Sequence, residues 1–237
     1  MGDNMQSKLK ETFVINLIII FILVIIGGYS QKESVAVLAQ YDNKPIYQVQ
    51  TENKTVSLMI NVYQGEEYVK KYLELFNKEN IKVTFFIGGC WAAKNKELVK
   101  EIYDAGHEIG NHGYNHKLHT NLNSEDSKNE MMRTNSLIKQ ITGKSCFLFA
   151  PPSGDVNSNV VSDAQKCGMV TVMWSADTID WRDQDKEKIY NRVERNLKPG
   201  ALVLMHPTKA TLEALPQIIL LIKAKGYTAL TVGEHLK

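Results

Sequence analysis

From Thr55 onward the chain alternates short apolar runs with amphipathic ones, and this alternation constrains its fold more than any other feature. TVSLMINV (55–62) has the apolar, β-branched character of a buried strand. Residues 66–80 follow, with Val69, Leu73 and Phe76 spaced as one face of a helix. Further strands are expected at KVTFFIG (82–88), at the start of HEIGNH, and at CFLFA (146–150), MVTVMW (169–174), ALVLMH (201–206) and YTALTV (227–232). Helices are expected at 97–106, 124–142, 159–166, 185–197 and 211–225, with Ser124 as an N-cap and Gly143 just beyond a C-terminus. This order predicts an α/β fold, a parallel sheet with helical crossovers. About seven to eight such units suit a closed or nearly closed (β/α) barrel, with an open sheet as the alternative.

In a barrel of this kind the C-terminal strand ends share one face. Every chemically interesting cluster of the chain lies there: Asn61, His112, Pro151-Pro152, Asp177 to Trp181, and His206. His112 and His116 stand four apart in HEIGNHGYNH, with Gly110 and Gly113 allowing tight turns. Neutral imidazoles suit zinc or a similar first-row ion; polar loop residues without a ligand are the alternative. His206 ends an apolar strand, where a general acid could protonate a leaving nitrogen or oxygen. Asp180 is a carboxylate suited to orient that imidazole, and Trp181 offers a flat face to a sugar ring or a cap for the barrel.

The N-terminal part reads differently. FVINLIIIFILVII (13–26) is apolar on all faces and follows Lys8 and Lys10. We expect residues 1–29 to be a cytoplasmic stub with a transmembrane signal-anchor, and residues 30–54 a stalk. Residues 55–237 then form a domain outside the membrane; secretion after signal cleavage is the alternative. Net charge is +2, and no basic stripe interleaved with aromatics is present, so nucleic acid is not an expected partner. Cys90, Cys146 and Cys167 form no C-x-x-C pair, and they read as small buried apolar residues.

The segments VSLMINV, KVTFFIGG, GHEIGNHGYNH, FAPPSG, WSADTIDW and LVLMHPT, in this order, resemble the polysaccharide deacetylase family, also called the NodB homology domain or carbohydrate esterase family 4. The resemblance covers nearly all of residues 55–237. It implies a deformed (β/α) barrel, a divalent metal, and removal of acetyl groups from N-acetylated sugars such as those of peptidoglycan or chitin. It implies metal-ligand roles for His112 and His116, a general acid at His206 tuned by Asp180, and groove positions at Trp181 and Pro152. His107 and His119 match no ligand position.

Three departures stand out. Where the family reads T-F-D-D, this chain has Met59, Ile60, Asn61 and Val62. Asn61 occupies the general-base position and cannot take a proton at neutral pH. Val62 stands where the resemblance places a metal-ligating aspartate. The arginine that would tether the base is replaced by Ala150. Losing arginine and carboxylate together avoids an unpaired buried charge. A repair could come from Glu67, or Glu66, folding back over Gly65 to join the histidines around zinc, with cobalt or nickel as alternatives; the other reading of both is as ordinary first-turn helix residues, favoured there by the helix dipole. Two functions follow: metal-dependent de-N-acetylation of cell-wall polysaccharide, or a weakened or inactive homologue that binds glycan as a wall-assembly or sporulation factor.

Overall fold

The computed structural model describes residues 12–22, 40–41 and 43–237. It divides into two units, Met1–Gln40 and Tyr41–Lys237. In the first, residues 12–22 form helix α1, with Phe13, Ile15 and Phe21 among its exposed side chains. No helix among the described residues is long and apolar enough to cross a membrane. The end of the expected anchor at 23–26, the lysines before it and stalk residues 30–39 lie outside the described residues.

The second unit is built on a parallel sheet. Its strands are β1 (Thr55–Val62), β2 (Thr84–Ile87), β3 (Glu108–Asn111), β4 (Leu148–Phe149), β5 (Val170–Thr171), β6 (Ala176–Asp177), β7 (Ala201–Met205) and β8 (Thr228–Ala229). The order is β5-β4-β3-β2-β1-β7-β6, with β8 added against the start of β1. The helices are α2 (Glu66–Glu79), α3 (Gly89–Lys94), α4 (Lys96–Asp104), α5 (Ser124–Thr142), α6 (Ser158–Lys166), α7 (Lys186–Asn196), α8 (Lys209–Ala224) and α9 (Val232–His235). β5 and β6 do not pair, so the curled sheet is a deformed, open-seamed barrel of the expected kind.

The strand period of two sorts β1 into two faces. Val56, Leu58, Ile60 and Val62 join the main apolar core with Val69, Tyr72 and Phe76 of α2 and Ile218 and Ile222 of α8. Ser57 and Asn61, also buried, belong to the opposite face, toward the barrel interior. Ser57 meets His235 of α9 at 2.9 Å, which places α9 at the N-terminal end of the strands. The C-terminal strand ends stay open above it.

Several boundaries differ from expectation. Residues 46–49 are not stalk: Ile46 bridges Val172, Gln48 bridges Ala201, and Ile46 and Val49 are buried. The folded domain therefore starts well before Thr55. Asn123, not Ser124, caps α5, its side chain accepting from the Asp126 N–H. The run 227–232 contains only the two-residue β8 before α9 begins behind a Thr231–Glu234 capping box. Helix α3 and strand β6 were not expected at all. The three cysteines are free; Cys146 is buried and Cys90 and Cys167 are half-buried.

Candidate active site

A cavity of about 550 Å³ opens at the C-terminal strand ends. It is lined by Asn61 from β1, His112 and His116 after β3, Asp177 at the end of β6 and Trp181 after it, and His206 after β7. Ser153, Gly154 and Trp174 add further walls. Six residues singled out in the sequence thus meet in one pocket. Trp181 is 61% exposed, so its ring is available to a ligand.

Asp180 lies behind the pocket and is fully buried. Its Oδ1 accepts from His206 Nδ1 at 2.7 Å, and its Oδ2 accepts from the His206 backbone N–H at 2.7 Å and from Thr211 Oγ1 at 2.5 Å. One carboxylate oxygen therefore holds the imidazole and the other holds the backbone of the same residue. The His206 Nδ1–H is fixed toward Asp180, which turns Nε2 to the cavity. In its imidazolium form that nitrogen can donate a proton to a leaving group. Thr211, in the first turn of α8, carried no warning in the sequence.

The histidine pair is built with equal care. The His112 Nδ1–H donates to Ala150 O at 2.7 Å, leaving Nε2 with its lone pair. The His112 and His116 ring centroids are 5.1 Å apart, edge to face. Burial, then the neighbouring His116, pushes the His112 pKa down to about 3, and burial lowers that of His116. Both rings are neutral at pH 7. Tyr63 packs on His116 at 4.7 Å between centroids. The loop carrying the pair turns through left-handed backbone at Gly113 (φ 68°) and His116 (φ 56°). Asn111 Oδ1 accepts from the Gly113 N–H, and buried Glu130 of α5 accepts from Tyr114 N–H at 3.0 Å, Asn115 N–H at 2.6 Å and Asn115 Nδ2 at 2.6 Å. Glu130 therefore positions the histidine loop. Sequence reasoning missed it because it comes from a helix well down the chain.

Opposite these groups the acidic machinery is missing. Asn61 is 4% exposed, and its Oδ1 is buried without a hydrogen-bond partner. Such an orphan costs about 1–3 kcal/mol. Val62 faces the apolar core, not the pocket, and Ala150 is fully buried. Glu67 does not repair the site. It is exposed on the first turn of α2, and Glu66 pairs with Lys70. The cause is Gly65: at φ 82° it packs so closely on Pro207 that a Cβ would sit 2.4 Å from the Pro207 carbonyl oxygen, and the chain runs straight into α2. Pro152 is likewise no groove residue; it is buried beneath Gly113, and Ser153 and Gly154 take its place.

The expected metal can be tested against these donors. Two neutral imidazoles are present, but among the described residues no group of three His, Cys, Asp or Glu side chains is placed to hold an ion. A catalytic zinc centre takes three protein ligands. The described residues do not fit one.

Comparison with known proteins agrees with this geometry. The polysaccharide deacetylase profile matches residues 48–172. The chain is 40% identical over 206 residues to the uncharacterized protein YlxY of Bacillus subtilis, covering 87% of this chain and 65% of that one. It is 32% identical over 197 residues to a peptidoglycan-N-acetylglucosamine deacetylase of Bacillus cereus, covering 81% of this chain and 92% of the relative. A second Bacillus cereus deacetylase of the same name is spanned over 62% of its length. Among solved structures, a CE4 family pseudoenzyme from Bacillus anthracis superposes with a TM-score of 0.80 at 40% identity, covering 83% of this chain and 70% of that one. A mutant of that pseudoenzyme is described as having restored enzymatic activity. This chain belongs to the polysaccharide deacetylase family, as a divergent member without the usual pair of aspartates.

Proposed function

We propose that the protein binds N-acetylated cell-wall glycan, peptidoglycan first, in a deacetylase groove whose hydrolytic machinery is incomplete. The observation that carries this reading is the neutral Asn61 at the base position, in one pocket with two histidines that have no third ligand among the described residues. Lack of a general base alone costs about 10²–10⁴ in rate. The groove is better kept: Trp181 and Trp174 offer aromatic faces to sugar rings, and the cavity is large enough for an acetamido group and its ring. The peptidoglycan deacetylases among the relatives support the ligand class, and the pseudoenzyme neighbour supports a silent site. The apolar N-terminal run supports placement outside the membrane, anchored or secreted.

A second reading, slow de-N-acetylation, is favoured by one observation. His206 remains locked to Asp180 by two hydrogen bonds, and Thr211 holds that carboxylate with a third, as around a working proton donor. Acetate release from peptidoglycan and chitin oligomers, with zinc or cobalt added, separates the two. Binding without turnover is the expected result. Turnover that disappears in His116→Ala and His206→Ala establishes the second reading.

A further inference from the structure

The loop 178–184, between β6 and α7, sends Asp180 inward to His206 and Trp181 outward to the cavity. Its backbone is strained. Ile179 sits in left-handed conformation at φ 53°, which a β-branched residue avoids. Such a residue persists only where its surroundings fix it. Part of that support is local: the Ile179 N–H donates to Asp177 Oδ1 at 2.7 Å, and its carbonyl accepts from the Arg182 and Asp183 N–H groups at 3.2 and 3.0 Å. The rest comes from α7. Arg192 is only 16% exposed; its Nη1 donates to Thr178 O at 2.7 Å, and its Nη2 pairs with Asp183 Oδ2. One guanidinium thus ties the start of the loop to its end. Asp183 carries the constraint further. It also takes the Arg182 guanidinium in a two-point pair, at 2.9 and 3.0 Å, and that guanidinium lies 6.0 Å from the Trp181 ring centroid. Hydrogen bonds from Arg182 and then from Arg192 hold the Asp183 carboxyl well below the usual carboxylate range, so this chain of contacts is charged at neutral pH.

We propose that Arg192 is a positioning residue for the groove: by bridging Thr178 and Asp183 it fixes how Trp181 is presented, and so sets glycan affinity without touching the ligand. This rests on the glycan-groove reading above and goes further by naming the residue that holds the groove's exposed aromatic platform. The two functional side chains of the loop are supported differently. Asp180 is buried and held from the far side by the His206 N–H and Thr211, so its place has an anchor independent of Arg192. Trp181 is 61% exposed, so the ring takes its orientation mainly from the backbone that carries it and from Arg182 above it. The bridge needs a fork. A guanidinium reaches a carbonyl and a carboxylate at once with fixed geometry, whereas an ammonium is a single point of charge.

The test is calorimetric titration of the full chain with tetra-N-acetylchitotetraose and with a peptidoglycan tetrasaccharide, at a temperature where denaturation curves show every variant folded. Arg192→Met is expected to weaken binding about five- to tenfold, close to the loss in Trp181→Ala. Arg192→Lys should lose nearly as much, because it cannot span both partners. In the Trp181→Ala background Arg192→Met should change affinity by less than about twofold, since the two residues act as one unit. A merely structural Arg192 would lower Tm and leave the affinity of the folded protein as it was. Should Arg192→Met not fold, Asp183→Asn cuts the same bridge and is expected to give the same pattern. Affinity unchanged in the bridge variant, full rescue by Arg192→Lys, or additive losses in the double variant overturns the role given to Arg192 and leaves the groove standing. Binding of neither oligomer by wild type removes the groove reading, and this inference with it.

Discussion

Removing the Glu130 carboxylate should unseat the histidine loop, and the size of the effect follows from its partners. The side chain is 5% exposed and accepts three hydrogen bonds from Tyr114 and Asn115. Lys117 lies 3.6 Å away but is 53% exposed, so that ion pair is worth little. Glu130→Ala leaves two backbone N–H groups without acceptors, at about 1–3 kcal/mol each. We expect a total near 3–5 kcal/mol and a Tm lower by roughly 8–15 °C in a domain of this size. Glu130→Gln keeps the shape and loses charge assistance, for about 1–2 kcal/mol. The two variants also differ from wild type in pH response. Burial raises the Glu130 pKa, but the Asn115 and Tyr114 bonds and Lys117 outweigh it, and the net shift is below the ordinary 4.5. A depressed folded pKa contributes stability above the unfolded value that is lost as pH falls through the folded one. The gap between wild type and Glu130→Gln, measured by urea denaturation, should therefore be constant from pH 7 to 5 and narrow below about 4.5. An Ala variant as stable as wild type, or a gap that does not change with pH, refutes the reasoning.

Other expectations follow from the same geometry. Trp181→Ala should weaken glycan binding about tenfold or more with no change in Tm, since the ring is 61% exposed; a Tm drop would show the ring to be a structural cap. Asp180→Asn should cost about 2–4 kcal/mol, because an NH₂ would replace an oxygen that accepts either from His206 Nδ1 or from the His206 N–H and Thr211, and denaturant titration reads it directly. His107, packed between Phe76 and Phe85, has its pKa pushed down by burial to about 4 from 6.5. Its neutral form contributes about 3 kcal/mol above pH 6.5 that is lost as pH falls toward 4. His107→Asn, which keeps an acceptor for the Val83 N–H, should flatten that part of the stability curve.

The barrel and the pocket were legible in the sequence for one reason. Apolar strands ending in polar clusters declare which residues share a rim, and Asn61, His112, His116, Trp181 and His206 all do. What was not legible arises from contacts between distant segments. Glu130 and Thr211 act from helices whose pairing with the site needs coordinates. The orphaned Asn61 oxygen has no sequence signature. The expectation for Glu67 failed because Gly65 was read as a hinge, whereas its approach to Pro207 locks the chain into α2. The opposite lesson holds for α9: Thr231 and Glu234 stand at capping-box spacing, and a strand was expected across a readable helix start.

Residues 46–49 are stitched on one side to Val172 and Met173 beyond β5 and on the other to Gly200 and Ala201 at the start of β7. They thereby close the part of the seam that β6, paired higher on β7 at Val203 and Leu204, leaves open. Tension on the chain ahead of Ile46 would be delivered to that stitching first. Peeled away, residues 46–49 would free the Met173 N–H now held by Ile46 O, one residue before Trp174 of the pocket wall, so mechanical load and that wall are joined along the chain.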